Sequence, residues 1–277
     1  MADPALTAWL RLPLVPGVGP ETQRHLLAAF GLPEQVFSAP RSALKQVVGK
    51  KADLLLDTDN QEAVNRALDW AGKPGNRILT LADPDYPQLL LESADPPSLL
   101  YVKGRVELLN RPALAIVGSR NATPQGLKDA EALAADLAAQ GLTIVSGLAL
   151  GIDGAAHRGG LKGEDGRVAV IGTGADRIYP SRHKELALQL ATEGAIVSEF
   201  PLGTPAVAHN FPRRNRIIAG MAKGCLVVEA ALESGSLITA RLAAELGREV
   251  FAIPGSIHSP VAKRSEEHTS ELQSLRH

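Results

Sequence analysis

A single cysteine, Cys225, stands among 277 residues, which excludes an internal disulfide and leaves no thiolate cluster for a structural metal. Its apolar setting, Gly224-Cys225-Leu226-Val227-Val228, predicts a small buried side chain at a strand start rather than a reactive thiol. An excess of charge of one sign is also missing. The formal net charge is -1, so any nucleic-acid binding has to come from a local patch and not from bulk attraction. No run approaches the about 20 apolar residues of a membrane span, and MADPALTAWLRL lacks the basic leader and cleavage pattern of a secretory signal, so the cytoplasm is the expected compartment. Absent too are a GxxxxGKS/T loop, HExxH, a GxSxG elbow and a spaced Asp/Glu set for two metal ions. The sequence offers binding surfaces and no reaction centre. The expectation is therefore a protein that is not an enzyme, with no cofactor and no metal.

What is there is ordinary globular material, 45% apolar and 21% charged, with the length of about two domains. Residues 6–70 read as helices throughout. Leu14-Val15-Pro16-Gly17-Val18-Gly19-Pro20 is a turn between two of them, the second running Glu21 to Phe30 and stopping at Gly31. This resembles a helix-hairpin-helix, whose amides can hold one DNA phosphate; a compact helical domain also needs such a turn, and the hairpin carries no cation before Arg24. Further helices are predicted at 33–37, 42–48 and 61–71. Gly72-Lys73-Pro74-Gly75 marks a boundary, giving a helical domain over 1–74. Residues 75–110 form a bridge, whose short strands at 78–81 and 99–102 are expected to add to one end of the main sheet. From Ala113 strands at 113–117, 143–146, 168–171, 195–198, 225–228 and 249–253 alternate with helices, an α/β pattern over 111–263.

Four features in this half carry the chemistry. Gly118-Ser119-Arg120-Asn121 ends the first strand, where an arginine fork adds to the turn amides a group that pairs with phosphate oxygens. Ser146 to His157 follows the second strand. Its Gly147 and Gly151 allow close backbone approach, and Asp153 and His157 stand four apart on one helical face, either as an acid/base pair or, the favoured reading, as local bonding that pins the helix start. Asn210 to Gly220 is basic in a stretch free of acidic residues between Phe200 and Val228. Arg213, Arg214, Arg216 and Lys223 supply charge, Phe211 a stacking platform and Asn215 a base-edge or sugar contact, the mixture that single-stranded nucleic acid calls for. Ser234-Gly235-Ser236 opens a helix that could hold a phosphate or only be capped. With Gly147, Gly151, Gly172 and Gly174, these three make up the candidate phosphate loops.

The stretches VGSR, IVSGLALGIDGAAH, IGTGADRIYP, SEFPLGTPAVAHNFPRRNRIIAG and VVEAALESGSLITARLAAELGREVFAIPG resemble, in order and spacing, the DprA (Smf, DNA processing A) family. The resemblance covers about residues 6–263. It implies an extended Rossmann-like, mostly parallel sheet preceded by a sterile-alpha-motif-like helical domain. It also implies a cytoplasmic, homodimeric protein without catalytic activity that binds incoming single-stranded DNA in natural transformation, helps displace single-strand-binding protein and loads the recombinase RecA. By motif, the DNA pocket takes Gly118, Ser119, Arg120 and Asn121 with Phe211, Arg213, Arg214, Asn215 and Arg216. From about Arg264 the chain departs from the family pattern, and residues 264–277 read like a translated adapter oligonucleotide, expected to be a disordered tail. Two other readings stand beside this one. The chain could be an enzyme or sensor for a nucleotide derivative, like the phosphoribohydrolases of related fold, although Glu229 to Thr239 lacks their PGGxGTxxE pattern. It could also be a helix-hairpin-helix scaffold on an inert platform.

Overall fold

The structure is a computed structural model that describes residues 3–163, 166–230 and 234–253. The 264–277 segment expected to be a tail lies outside the described residues. The chain begins with six helices, α1 (Pro4–Arg11), α2 (Pro20–Phe30), α3 (Pro33–Ser38), α4 (Arg41–Val48), α5 (Lys51–Asp57) and α6 (Gln61–Ala71). Asp3 starts the first by accepting the Ala5 amide at 3.0 Å, satisfying one of the donors that a helix start leaves free. The helix α5 is not evident from sequence, because Gly49-Lys50-Lys51 reads as a stop. Leu54 and Leu55 nevertheless place an apolar turn there, and Leu55 joins Leu26, Val36 and Leu44 in a core of the helical region's own. A second cluster, with Trp9, Leu10, Val64 and Trp70, reaches out of the helices to Ile78, Leu99 and Tyr101.

The rest comprises β1 (Asn76–Thr80), α7 (Gln88–Leu91), β2 (Leu99–Gly104), β3 (Ala113–Gly118), α8 (Pro124–Ala139), β4 (Thr143–Ser146), α9 (Ile152–Gly160), β5 (Arg167–Val170), α10 (Lys184–Glu193), β6 (Ala195–Ser198), α11 (Asn210–Met221), β7 (Gly224–Val228), α12 (Gly235–Glu245) and β8 (Glu249–Ala252). The strands form one sheet in the order β1-β2-β6-β5-β4-β3-β7-β8. As expected from the bridge sequence, β1 and β2 add antiparallel at one end, while β6 to β8 in that order pair in parallel. The fold is α/β with a mostly parallel sheet preceded by a helical region.

Chain direction across the sheet reverses at β3, which pairs with β4 on one side and β7 on the other. In open parallel sheets such a reversal leaves a crevice beyond the carboxyl ends of the strands. Apolar residues on both sheet faces fix the strands: Ala115 and Val117 belong to the core cluster that includes Ile217 and Val227, and Ile116 belongs to the one that includes Ala134 and Ala155. Cys225 lies within the first of these clusters, and burial pushes its thiol up to about 12. Among the described residues no helix is long and apolar enough to cross a membrane, and no group of three or more His, Cys, Asp or Glu could hold a metal ion.

Candidate nucleic-acid interface

A cavity of about 730 Å³ opens at the crevice, floored by Val117 and Gly118 of β3 and walled by α11 and the start of α12. The loop after β3 brings Ser119, Arg120 and Asn121 to its rim, α11 contributes Phe211, Arg214 and Asn215, and Ser234, Gly235 and Ser236 close the far side. Segments separated by about ninety residues of chain thus meet at one edge, as their strand-end positions require.

Arg214 is the central cation. It is 4% exposed, and its Nη2 donates to the Gly147 carbonyl at 2.9 Å. Burial, against the opposing effect of Asp153 and with a smaller contribution from nearby Arg120, pulls its pKa down to about 10, so it stays charged at neutral pH. Gly147 is the residue that makes this possible, since a Cβ there would overlap the Arg214 guanidinium. Asp153 is buried beneath them and accepts the Gly147 and Ala149 amides at 3.1 and 3.3 Å. Burial raises its pKa, while Arg214 and the two amides favour the carboxylate. The loop after β4 is therefore folded back over a carboxylate, and Gly151, with φ 77°, lets it press on the β3 loop, where the Ile152 amide donates to Ser119 O at 3.1 Å.

Arg120 is exposed, whereas Arg213 and Arg216 are paired with the Glu199 carboxylate. Its guanidinium lies 5.7 Å from the Phe211 ring centroid, within cation–π range. Phe211 in turn packs on Tyr179, centroids 5.6 Å apart and planes tilted by 37°. Tyr179 is 49% exposed and lines the cavity. In the sequence it stands within IGTGADRIYP, where nothing local marks it as part of the site. Asn215 donates through Nδ2 to Gly235 O at 3.0 Å, tying α11 to α12. Ser234 caps α12, its Oγ accepting the Ser236 amide at 3.3 Å and lying 2.6 Å from Ser236 Oγ.

Several expected members are elsewhere. Arg213 and Arg216 do not line the cavity. Both bind the buried carboxylate of Glu199, at 2.9 and 2.5 Å, and Arg216 also pairs with Asp95 at 3.3 Å. Lys223 precedes β7, and its amide bonds to Ala113 O at the start of β3, which puts it at the amino edge of the sheet, away from the crevice. Gly147, Gly151, Gly172 and Gly174 are not cavity-lining phosphate loops but packing positions. A Cβ on Gly172 would lie 2.9 Å from Phe211, and one on Gly174 would lie 2.7 Å from Pro201 O. In the 14–20 hairpin Val15 and Val18 pack inward, the Val18 carbonyl accepting from Gln23 Nε2 at 2.8 Å, while Pro16, Gly17 and Gly19 are exposed; the hairpin does not line the cavity.

Asp153 and His157 form no acid/base pair. His157 is fully buried, both ring nitrogens lack hydrogen bonds, and burial, with the charges of His183, Arg167, Arg214 and Arg158, pulls its pKa to about 3. Below pH ~6.5 the unfolded chain takes up a proton that the folded one refuses, so stability falls with pH by up to about 1.4 kcal/mol per unit. Asp153, shifted upward, acts in the opposite sense. His157→Leu is therefore expected to flatten the decline between about pH 6.5 and 4.5, measured by urea unfolding against the parent chain. An unchanged slope would refute the assignment.

Comparison with known proteins places these features. Residues 77–272 match the family model for DNA recombination-mediator protein A. Protein Smf of Escherichia coli (strain K12) is 47% identical over 201 residues, which are 72% of this chain and 54% of that protein. Protein Smf of Synechocystis is 40% identical over 263 residues, 92% of this chain and 66% of that protein. The chain thus spans about half to two thirds of the length of these relatives. The crystal structure of DNA processing protein A from Streptococcus pneumoniae superimposes with a TM-score of 0.83 at 32% identity, over 98% of this chain and 94% of that one. DNA processing protein A from Helicobacter pylori, solved for its single-stranded DNA binding mode, gives 0.64 at 28% identity, over 72% and 93%. With the fold and the sequence agreeing along most of its length, the chain belongs to the DNA recombination-mediator protein A family.

Proposed function

We propose that this chain binds single-stranded DNA as a recombination mediator and catalyses no reaction on it. The observation that carries the reading is the cavity itself, in which Arg120 and Arg214 stand beside the Tyr179–Phe211 pair. Fixed cations take the phosphates, and aromatic faces take bases without regard to their identity. The DNA site comprises Gly118, Ser119, Arg120, Asn121, Phe211, Arg214 and Asn215, with Tyr179 added and with Ser234 to Ser236 at its far wall. RecA loading, displacement of single-strand-binding protein, a homodimeric state and a cytoplasmic setting belong to the same proposal, extended from the family.

The competing reading, a site for a nucleotide derivative, needs a free helix start for its phosphate. The start of α12 lines the cavity and carries its own Ser234 cap, and the start of α8 is already filled. Glu229, held at φ 50°, accepts the Thr123 amide at 2.7 Å and the Thr123 hydroxyl, so an anion of the protein's own occupies that position.

Titration of labelled oligo-dT across salt tests the proposal. Affinity is expected to fall steeply with salt, and Arg120→Ala to reduce the slope of log K against log salt by about 0.7. Phe211→Ala is expected to weaken binding by about 1–3 kcal/mol, the worth of one stacked base. Binding that ignores salt, or a Phe211→Ala variant with parental affinity, would refute it.

A further inference from the structure

At about 100° per residue, the side chains of Phe211, Arg214, Asn215 and Ile218 share one flank of α11, and all four line the cavity. Arg213 and Arg216 project from the opposite flank, about half a turn away. There one carboxylate holds both: Glu199, whose side chain is 2% exposed, bonds Arg213 and Arg216 through Oε2. Arg213 also lies 5.1 Å from the Phe200 ring centroid. Asp95 extends the clamp, pairing with Arg216 and with Arg24 of α2, so the helical region braces the same flank.

We propose that Glu199 is a positioning residue for the DNA cavity: by gripping Arg213 and Arg216 it sets the roll of α11 that turns Phe211 and Arg214 toward the strand. The inference rests on the single-stranded DNA reading above. It has a sign that simple electrostatics does not share. A carboxylate near a polyanion should weaken binding, and its removal should strengthen it. A carboxylate that aims the binding helix strengthens binding, and its removal weakens it. Loss of that buried acceptor leaves Arg213 without its carboxylate and Arg216 held by Asp95 alone.

The test is oligo-dT titration of the full chain carrying Glu199→Gln, at several salt concentrations, with 2-aminopurine in the oligonucleotide as a reporter of stacking. The expected result is binding about 5- to 20-fold weaker, with less quenching of the reporter at saturation. Asp95→Asn, which cuts the clamp at its exposed end, is expected to weaken binding about 2-fold in the same direction. It decides the matter if Glu199→Gln fails to fold. Adding Glu199→Gln to Arg213→Gln/Arg216→Gln is expected to cost little more, because the variants act through one contact. Unchanged or tighter binding in Glu199→Gln, with a steeper salt slope, would overturn the inference and assign the two released arginines to the DNA. Failure of the unmodified chain to bind oligo-dT would instead overturn the functional reading on which this rests.

Discussion

Replacing Arg214 with alanine is expected to weaken oligo-dT binding about 10- to 100-fold at ~0.1 M salt and to lower the salt slope by about 0.7. The effect should exceed that of Arg120→Ala for a physical reason. Arg214 is 4% exposed and fixed by the Gly147 carbonyl, so its charge is weakly screened and docking DNA costs little further side-chain entropy. Arg120 is exposed and has to be ordered when the strand arrives. Truncation of Arg214 also removes the charge that most favours the buried Asp153 carboxylate, at a stability cost of about 1–3 kcal/mol. Arg214→Lys therefore serves as the companion variant. It retains the charge without the planar fork and should recover only part of the affinity. Fluorescence anisotropy reads both, and parental affinity with parental slope in Arg214→Ala would remove this residue from the site.

The second large effect comes from adding one methyl group. Gly147→Ala puts a Cβ into the space of the Arg214 guanidinium. Side-chain tips usually step aside, but this one is buried and has only the cavity to swing into. Binding should fall as far as in Arg214→Ala, and stability by about 1–3 kcal/mol, the usual cost of overpacking. Gly19→Ala is the control, since nothing lies within 4 Å of a Cβ there; it should bind as the parent does. If Gly147→Ala binds equally well, Arg214 does not act from its buried position.

The strands were legible because their apolar runs are short and end in small or polar residues; the observed β4 and β6 coincide with the expected ranges, and β3 extends one residue further. Arg120 was legible because a strand-end turn in a parallel sheet has only one place to go. The basic run was not resolved into its parts, because counting charge says nothing about which flank of a helix each residue occupies. The 3.6-residue period separates Arg214 from Arg213 and Arg216, and their partner Glu199 belongs to another loop. Lys223 was misplaced for a similar reason: it is near Arg216 in sequence, but α11 carries the chain from one edge of the sheet to the other before β7 begins. Tyr179 was passed over because nothing local shows that its loop folds toward Phe211.

One consequence follows from where β3 sits. It is an interior strand, hydrogen-bonded on both sides and covered on both faces, and its end is the cavity floor. The cavity floor is thus held on every side, and on the proposed reading most of the loss of freedom on association falls on the polymer, with Arg120 the one exposed side chain of the pair of cations to be ordered. Stiff, self-stacked or base-paired tracts would have to melt first, so discrimination among nucleic acids should follow the ease of unstacking more closely than the identity of any letter.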